Sequence, residues 1–442
     1  MTYKDFFAGK RVTLMGLGLL GRGVGDAEFL APLCKELVVT DAKSEAELAP
    51  SLKRLEQFSN IRYALGGHKE EDFINTNMVI KAAGVPADSP YIATAKKNNV
   101  PVYMSTALFA KFAAEAGATI AGITGTRGKS TVTHLIYHAL IHAVSRQGSG
   151  RERKIFLGGN VRGLSTLAML PDVQKGDIAV LELDSWQLQG FGDLKISPQV
   201  AVFTNLMSDH LNYYSGDKEA YFWDKANIFL HQKNGDKFIV GAGVLAQIQK
   251  ANPPVAPLVP PPLPHEWNLK LIGEHNKENA ALAALALRIL GLSEDDIKKG
   301  LESFEPVEGR LQKIAEIKGV TFYNDNNATT PDATIAALRA FDGKKITLIT
   351  GGADKALPLE NLAQEMGTSG ATIILLPGTG TKRLKPFLKD FTEAASMQEA
   401  VGKALKSAGD LVLLSPAFAS FGLFKNEYDR NDQFVDAVKK LQ

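Results

Sequence analysis

Short apolar runs rich in Val, Ile and Leu alternate with amphipathic stretches along most of the chain. The runs include RVTLMG, KELVVTD, NTNMVIKAA, ATIAGITG, DIAVLEL, QVAVFTN, KKITLITG, ATIILLPG and DLVLLSP. Such runs are typical of strands buried on both faces of a parallel sheet, and the amphipathic stretches are typical of the helices that cover it. The pattern predicts an α/β protein built from separate sheets, since no repeat of solenoid period is present.

The apolar runs fall into three consecutive series, which indicates three domains. A chain of 442 residues is too long for one ordinary core, because single cores stop growing beyond about 250–300 residues. A helix-like stretch, LFAKFAAEAG, leads into a new strand at Ala118. We predict domains at residues 1–107, 108–306 and 307–442. The run NPPVAPLVPPPLP is placed on the surface of the middle domain, because proline lacks the N–H donor that a helix or central strand needs.

Composition and charge limit the classes of partner. The chain carries 50 Lys and Arg against 48 Asp and Glu, so no overall field draws it to nucleic acid or to a membrane. Cys34 is the only cysteine, which rules out an intramolecular disulfide and is typical of a reducing cytosol. No stretch approaches the ~18 apolar residues of a membrane span, and the start lacks a signal peptide pattern. We expect a cytoplasmic protein.

The strongest motif is GITGTRGKST, which follows the strand ATIA and precedes the amphipathic stretch VTHLIYHAL. In this order, backbone N–H groups and a helix N-terminus face a phosphate, Lys129 reaches the terminal phosphates and Ser130 can hold Mg²⁺. Ile123 stands where the strict Walker pattern has its first glycine. The predicted ATP loop therefore consists of Gly125, Thr126, Arg127, Gly128, Lys129, Ser130 and Thr131. The alternative is a glycine turn with a solvated lysine.

A second glycine motif, VTLMGLGLLGRG, lies near the N-terminus. Gly16, Gly18 and Gly21 follow a predicted strand, and Asp41 ends the next strand some twenty residues on. This spacing fits a Rossmann-like site for a diphosphate, with the acid placed for a ribose or a base. Taken alone, the motif fits a redox NAD site as well as any other diphosphate.

The loop GTRGKST resembles the variant ATP loop of the Mur ligases and of their relatives, the folylpolyglutamate synthetases. Further matches follow in the expected order along nearly the whole chain: LELDSWQL, FTNLMSDHLNYY, GEHNKENAALAALAL, VEGRLQKI and YNDNNATTPDAT. The resemblance implies three α/β domains: a Rossmann-like N-terminal domain, a central P-loop ATPase-type domain with a mostly parallel sheet, and a Rossmann-like C-terminal domain.

The resemblance also implies an ATP site that holds two Mg²⁺ ions. Outside the loop, the expected ATP contacts are Asn276, Asn279, Arg310 and Asp325. The implied metal ligands are Ser130, Glu182, His210 and a carbamylated Lys225. The expected catalytic residues are Lys129, His210, Lys225 and Arg310.

These roles have a chemical rationale. A carboxylate at a strand end beside a phosphate loop suits a hard cation, and amide side chains match the donor and acceptor on an adenine edge. A guanidinium stabilises charge spread over transferring phosphoryl oxygens. Carbamylation needs a neutral amine, so Lys225 is expected where burial or neighbours lower its pKa. Taken singly, Glu182 could be a solvated strand end, His210 a packed histidine and Asn276 a helix cap.

For the other substrates, the resemblance implies one site in each outer domain. A UDP-sugar is expected at Gly18, Leu19, Leu20, Asp41, Lys43 and Asn160. The segments GGADKALPLENL and LLSPAFASFGLFKNEYDRNDQF resemble those of members that add D-glutamate, whose carboxylates are expected at Thr329, Lys355, Ser415 and Ser420. The implied reaction is ATP-dependent amide formation between UDP-N-acetylmuramoyl-L-alanine and D-glutamate through an acyl phosphate, in peptidoglycan precursor synthesis. We expect a monomer whose domains close over its substrates.

Some positions depart from the commoner family pattern, and they bear on the alternatives. They are Arg127, Asp184, Asn327 and Glu427. None removes a catalytic group, although Glu427 would repel a dicarboxylate if it faced one. The alternatives are another Mur-type ligase, a folylpolyglutamate synthetase-like enzyme, and a nucleotide-binding regulatory protein without catalysis. The UDP-type N-terminal domain speaks against the synthetase, and the joint presence of the predicted catalytic residues speaks against the regulator.

Overall fold

A computed structural model of the chain describes residues 1–19, 21–144, 153–207, 209, 213–407 and 409–442. The described residues form three β-sheets in chain order, each covered by helices. The prediction of an α/β protein with three such units is confirmed. None of the described helices is long and apolar enough to cross a membrane.

The first sheet is parallel throughout, with strand order β3-β2-β1-β4-β5. Its strands are β1 Arg11–Met15, β2 Glu36–Asp41, β3 Ile61–Leu65, β4 Met78–Lys81 and β5 Val102–Tyr103. The helices are α1 Tyr3–Phe7, α2 Arg22–Leu30, α3 Glu45–Leu55, α4 Glu71–Ile74, α5 Pro90–Lys97 and α6 Ser105–Glu115. The strand order reverses between β1 and β4, and ligands of open α/β sheets bind in the crevice at such a point. The glycine motif that follows β1 lies there.

The second sheet is also parallel, with strand order β11-β10-β9-β6-β8-β7. Its strands are β6 Thr119–Thr124, β7 Ile155–Gly159, β8 Ile178–Glu182, β9 Val200–Phe203, β10 Lys237–Val240 and β11 Pro257–Leu258. The helices are α7 Lys129–Val144, α8 Ser185–Leu194, α9 Lys218–Ala226, α10 Leu245–Lys250, α11 Glu274–Ile289 and α12 Glu294–Ser303. The proline-rich run contributes only β11, at the sheet edge, where a missing N–H costs least.

The third sheet is mixed, with strand order β12-β13-β17-β14-β15-β16. Its strands are β12 Gln312–Ile317, β13 Val320–Asn324, β14 Ile346–Thr350, β15 Thr372–Leu375, β16 Thr392–Glu393 and β17 Leu411–Leu414. The helices are α13 Pro331–Ala340, α14 Glu360–Thr368, α15 Thr379–Leu384, α16 Met397–Ser407 and α17 Glu427–Lys439. Strands β12 and β13 form an antiparallel hairpin.

The pattern of continuous apolar runs does not predict this hairpin, and the burial pattern of the two strands shows why. Buried positions in β12 and β13 alternate with more exposed ones, so neither strand reads as an apolar run. The turn between them places Lys318 at φ 52° and Gly319 at φ 79°. Two positive φ values are what the tight hairpin turn of type I′ requires.

The first two sheets share one hydrophobic core. Phe7 and Leu30 from the N-terminal side, Phe109 of α6, and Leu188 and Phe229 from the middle side belong to a single buried cluster. Helix α6 contains the predicted boundary after residue 107, and it packs against residues of both domains. The N-terminal and middle domains are expected to behave as one stable body, and the boundary stays a prediction.

The third sheet has a core of its own on each face. Leu348 and Leu413 belong to one buried cluster, whereas their neighbours Ile349 and Val412 belong to another. Successive side chains of a strand point to opposite faces, so the two clusters fill the two sides of this sheet. The C-terminal domain therefore does not depend on the shared core of the first two domains.

Truncating Phe109 tests the shared core. Phe109 is fully buried, and Phe109→Ala should lower the free energy of unfolding by about 3–5 kcal/mol. In urea, hydrogen exchange followed by mass spectrometry should show the first two domains losing protection together at a lower concentration, with the C-terminal domain unchanged. Trp223→Ala is the control, because Trp223 is 46% exposed. Independent unfolding of the first two domains would contradict the shared core.

Candidate functional site

Three strand ends meet at the predicted ATP loop. Strand β6 lies between β8 and β9, so Gly125 after β6, Glu182 on β8 and Thr204 after β9 lie at one edge of the sheet. A Cβ added to Gly125 would lie 1.9 Å from the Thr204 hydroxyl oxygen, and one added to Gly128 would lie 2.2 Å from Oδ1 of Asn279. Both glycines have positive φ. Only glycine fits this closely packed turn.

Lys129 is the first residue of α7 and folds back over the loop. Its Nζ donates to the carbonyl oxygens of Gly125, at 3.0 Å, and Thr126, at 3.1 Å. Burial lowers the pKa of Lys129, and the Glu182 carboxylate opposes that shift. The ammonium group lies against the loop that precedes the N-terminus of α7, and a nucleotide phosphate is bound at such a helix N-terminus in loops of this kind.

The two predicted adenine ligands lie in the first two turns of α11. The Asn279 amide donates to Oδ1 of Asn276 at 3.1 Å, and the Asn276 amide donates to the Ile272 carbonyl at 2.8 Å. Asn279 also borders Gly128, so the structure brings this helix to the loop. Gly273 occupies the N-cap position, so the alternative role of Asn276 as the helix cap is wrong.

Lys225 lies beneath the loop on α9 and is 1% exposed. Its Nζ donates to the Gly125 carbonyl at 3.0 Å and lies 4.7 Å from the centre of the Tyr221 ring. Burial, followed by the nearby charge of Lys129, places the pKa of Lys225 well below its ordinary value. The neutral amine that carbamylation needs is therefore favoured at this position.

The predicted metal ligands are partly described. Glu182 is 4% exposed at the end of β8, and the Ser130 hydroxyl lies in the first turn of α7. His210 lies outside the described residues. Within the described part of the chain, no three His, Cys, Asp or Glu side chains converge as a metal site. The predicted set of ligands also includes a serine hydroxyl and a carbamylated lysine, and this set stays a prediction.

Arg310 of the C-terminal domain reaches the ATP loop. Its Nη2 donates to the Ser130 hydroxyl at 3.5 Å, while its buried Nε has no hydrogen-bond partner among the described residues. Asp325 accepts from the Leu311 N–H at 3.3 Å and from the Ser415 hydroxyl at 3.0 Å, which fixes the turn that carries Arg310. A buried donor without a partner calls for an acceptor, and a nucleotide phosphate meets that need.

The predicted amino-acid ligands occupy two places. Lys355 donates to the Thr329 hydroxyl at 3.1 Å, so the structure brings these two together at the interface with the middle domain. The Ser415 hydroxyl instead faces Asp325. Ser420 is buried and follows Ala419, which pairs with Ala353 in a short bridge close to Lys355.

The UDP-sugar candidates lie between the first two domains. Asp41 accepts from the backbone N–H groups of Gly18 and Lys43, both at 2.9 Å, so its carboxylate shapes the glycine loop. Asn160 of the middle domain accepts from Arg22 at 3.0 Å. Leu19 is exposed, and Leu20 lies outside the described residues. Arg22 was missed by the sequence reasoning, although its place directly after the glycine motif was a usable signal.

The departures from the family pattern have local structural roles. Asp184 caps α8 by accepting from the Gln187 N–H at 2.8 Å. The Asn327 amide donates to the Glu308 carbonyl at 3.1 Å, which supports the turn before Arg310. Glu427 is the first residue of α17, where a carboxylate is favoured by the helix dipole.

Arg430 is a further residue that sequence reasoning missed. It is fully buried and donates to Oδ1 and the carbonyl of Asn326, at 2.7 and 2.9 Å, and to the Phe418 carbonyl at 3.0 Å. Burial lowers its pKa to about 10. Arg430 joins the loop that carries Asn326 and Thr329 to the loop that carries Phe418 and Ser420. In the polar segment NEYDRNDQF it carries no sequence signal that separates it from a solvated arginine.

Comparison with known proteins gives matches over nearly the whole chain. The family profile described as Mur ligase middle domain matches residues 123–255, and that described as Mur ligase, glutamate ligase domain, matches residues 309–418. The UDP-N-acetylmuramoylalanine--D-glutamate ligase of Roseiflexus sp. (strain RS-1) is 34% identical over 98% of this chain and 99% of its own length.

Two solved structures share the fold. The crystal structure of UDP-N-acetylmuramate-alanine ligase from Thermotoga maritima has a TM-score of 0.63 at 17% identity, over 98% of this chain and all of that one. Folylpolyglutamate synthase from Mycobacterium tuberculosis, solved with ADP and AMPPCP, has a TM-score of 0.54 at 15% identity, over 76% of this chain and 93% of that one.

The acidity of Asp325 gives a test of its link to Arg310. Burial raises the pKa of Asp325 from 3.8 to about 7, and the charge of Arg310 opposes the shift. As pH falls through about 7, protonation of Asp325 should weaken its electrostatic attraction for the Arg310 guanidinium. KM for ATP should therefore rise. In Asp325→Asn, KM should be high and nearly constant between about pH 6 and about pH 8.

The contribution of Asp325 to the free energy of unfolding should increase as pH falls, whereas its contribution to ATP binding should decrease. A carboxyl whose folded pKa is raised contributes stability below its unfolded pKa and loses it as pH rises through the folded value. Asp325→Asn should therefore gain thermal stability relative to the wild type at about pH 8 and lose that advantage near about pH 4. The same pH profile of KM and melting temperature in both proteins would contradict the assignment.

Proposed function

The chain belongs to the Mur ligase family, and we propose that it joins D-glutamate to UDP-N-acetylmuramoyl-L-alanine, with ATP converted to ADP and phosphate. The relative from Roseiflexus, which matches from end to end, carries the name of this reaction. One observation in the structure supports the proposal most directly. In the C-terminal domain, Arg310 contacts Ser130 of the loop and Lys355 contacts Asp209 of the middle domain. This supports a phosphoryl site and an amino-acid site that both lie at the interface between these two domains.

In the first step, a carboxylate oxygen of the UDP-linked substrate attacks the γ-phosphorus of ATP. The bond between that phosphorus and the bridging oxygen breaks, which gives an acyl phosphate and ADP. Phosphoryl transfer depends mainly on positioning and charge neutralisation. Lys129 at the helix N-terminus and Arg310 across the interface supply that positive charge. The Nε of Arg310, which has no hydrogen-bond partner in the described part of the chain, has an acceptor once a phosphate is present.

We propose that Ser130, Glu182, His210 and the carbamate of Lys225 hold two Mg²⁺ ions. The fit rests on a buried carboxylate and a hydroxyl beside the loop, and on a buried amine whose pKa is far below its ordinary value. A carbamate would turn that amine into an oxygen ligand. Bound Mg²⁺ supplies charge neutralisation on the phosphate oxygens.

In the second step, the neutral amine of D-glutamate attacks the acyl carbon. The carbon–oxygen bond to phosphate breaks, inorganic phosphate leaves, and the nitrogen loses a proton as the amide forms. An acyl phosphate is readily hydrolysed, so water must be excluded. The C-terminal domain covers the loop through polar contacts, which suits a domain that closes during each cycle.

We propose that the UDP-sugar lies along the cleft between the first two domains, at Gly18, Leu19, Leu20, Asp41, Lys43 and Asn160. The Asp41 carboxylate shapes the glycine loop, and the bond from Arg22 to Asn160 joins that loop to the middle domain. Within the family, this cleft serves a UDP diphosphate. The NAD alternative has no support beyond the glycine spacing.

The remaining alternatives are weaker. A folylpolyglutamate synthase aligns with only 76% of this chain, so part of the chain has no counterpart there. A regulator without catalysis does not explain why Lys129, Glu182, Lys225 and Arg310 surround one loop. We propose a monomer in the cytoplasm, since the substrates are small molecules and a single cysteine is typical of a reducing cytosol.

Phosphate release with a panel of amino acids tests the function. With ATP, Mg²⁺ and UDP-N-acetylmuramoyl-L-alanine, D-glutamate should support turnover, whereas L-glutamate, L-alanine and a diamino acid should not. Lys129→Ala is the control for loop-dependent chemistry, and it should lower turnover on the order of 10²-fold. Turnover with L-alanine or a diamino acid alone would assign the chain to another branch of the family.

Chemical rescue tests the role of Lys225. Lys225→Ala should be almost inactive, because the carbamate oxygens are lost, and a short carboxylic acid such as acetate should restore part of the activity. Lys129→Ala removes a charge from the same loop but no metal ligand, so acetate should not rescue it. Equal responses of the two variants to acetate would contradict the carbamate.

A further inference from the structure

Three charged side chains meet between the middle and C-terminal domains. Nη2 of Arg127 lies 3.7 Å from Oδ2 of Asp209, and Nζ of Lys355 lies 3.5 Å from Oδ1 of the same carboxylate. We call Arg127, Asp209 and Lys355 the charge triad. The exposed fractions of their side chains are 19%, 8% and 27%, so the triad is mostly shielded from water yet still accessible.

Arg127 belongs to the ATP loop by sequence, but its side chain leaves the loop. Its backbone is fixed by the middle domain, since its N–H donates to Oδ1 of Asn205 at 2.9 Å and its carbonyl accepts from Thr204. Its guanidinium donates to the hydroxyl of Thr330 in the C-terminal domain. Nζ of Lys129 remains over the loop, so the positive charges of Arg127 and Lys129 lie at different positions.

Two neighbouring threonines of the C-terminal domain hold the two cations. Thr329 accepts from Lys355 and Thr330 accepts from Arg127. Thr330 is the N-cap of α13, yet its side chain makes no capping hydrogen bond. A capping threonine stabilises its helix, so the use of this hydroxyl toward Arg127 removes that stabilisation from α13. The hydroxyl of Thr330 thus serves the contact between the two domains instead of its own helix.

The triad has two positive charges and one negative charge. An amino acid with a second carboxylate in its side chain has two negative charges and one positive charge, so the two sets match group by group. We propose that Arg127 binds one carboxylate of the incoming amino acid, that Lys355 binds the other, and that Asp209 holds the amino group. This inference rests on the proposed function and adds Arg127 and Asp209 to the amino-acid site.

Selectivity follows from this arrangement. An amino acid with a single carboxylate would leave one cation of the triad with only Asp209 as an anionic partner, and that carboxylate is also held by the amino group, which is costly for a cation shielded from water. The site also spans two domains, because Arg127 and Asp209 come from the middle domain and Lys355 comes from the C-terminal domain. The amino acid therefore meets its full set of partners only when the two domains are together.

Steady-state kinetics of Arg127 variants test the inference. Arg127→Asn keeps the backbone contacts of the loop but removes the charge. It should raise KM for D-glutamate roughly 10- to 100-fold, the usual range for losing a charge-assisted hydrogen bond. The increase in KM for D-glutamate should exceed any increase in KM for ATP, because the Arg127 guanidinium points toward Thr330. Arg127→Lys should fall between wild type and Arg127→Asn, because it keeps the charge but loses the planar fork.

Arg162→Asn is the matched control for domain contact alone. Arg162 also crosses from the middle to the C-terminal domain, with its guanidinium 4.2 Å from the centre of the Tyr428 ring and 3.9 Å from Asp432. If the triad recognises the amino acid, this variant should raise KM for D-glutamate far less than Arg127→Asn does. Equal increases in the two variants would show that Arg127 acts only as a domain contact, and would overturn the inference.

The remaining outcomes separate the two levels of the proposal. If wild type uses D-glutamate but Arg127→Asn leaves its KM unchanged, or raises only KM for ATP, the role of Arg127 is wrong and the proposed function stands. If wild type turns over only with an amino acid that has one carboxylate, the proposed function fails, and the triad with it. Melting temperatures of the variants near that of wild type show that altered kinetics do not reflect unfolding.

Discussion

The concentration of positive charge around one glycine loop is the constraint on which the rest of the site depends. Lys129, Lys225 and Arg310 converge there from both sides of a domain interface, and the charge of Arg127 acts on Lys129 from beside the loop. Burial, and then the charge of Lys129, lower the pKa of Lys225, and burial also lowers that of Lys129, with Arg127 and Arg310 adding to the shift. Like charges held this close raise the free energy of the folded protein. Anionic ligands remove that cost, so nucleotide and substrates are expected to stabilise the closed arrangement.

The distribution of apolar packing decides which parts of the molecule move. The N-terminal and middle domains share one core through α6, so a UDP-sugar bound between them, as proposed, would meet side chains held in fixed geometry. The C-terminal domain fills both faces of its own sheet and meets the ATP loop through polar contacts such as those of Arg310 and Arg127. Polar contacts are exchanged for water at little net cost, so this interface can open and close while the shared core stays intact.

Much of the fold and part of the site could be predicted from the sequence because the determinants are local. Apolar runs predicted the parallel strands, and the order of strand, glycine loop and helix predicted a phosphate site at Gly125–Thr131. The loop geometry agrees with this, since Gly125 and Gly128 lie where any Cβ would collide with a neighbour. The hairpin of β12 and β13 was missed because its exposed face interrupts the apolar pattern. Arg430 was missed because a buried arginine and a solvated one look alike in sequence.

By itself the sequence determined the α/β class and the family, and it predicted the ATP loop and the types of side chain available for its chemistry, because each depends on residues that are close neighbours along the chain. The tertiary structure alone decided which of these side chains meet. It placed Lys225 under Gly125, a hundred residues away, and turned Arg127 out of its own loop toward Thr330. It also directed Ser415 to Asp325. Such pairings depend on how distant strands and domains pack together, and the spacing of residues along a chain does not contain that information.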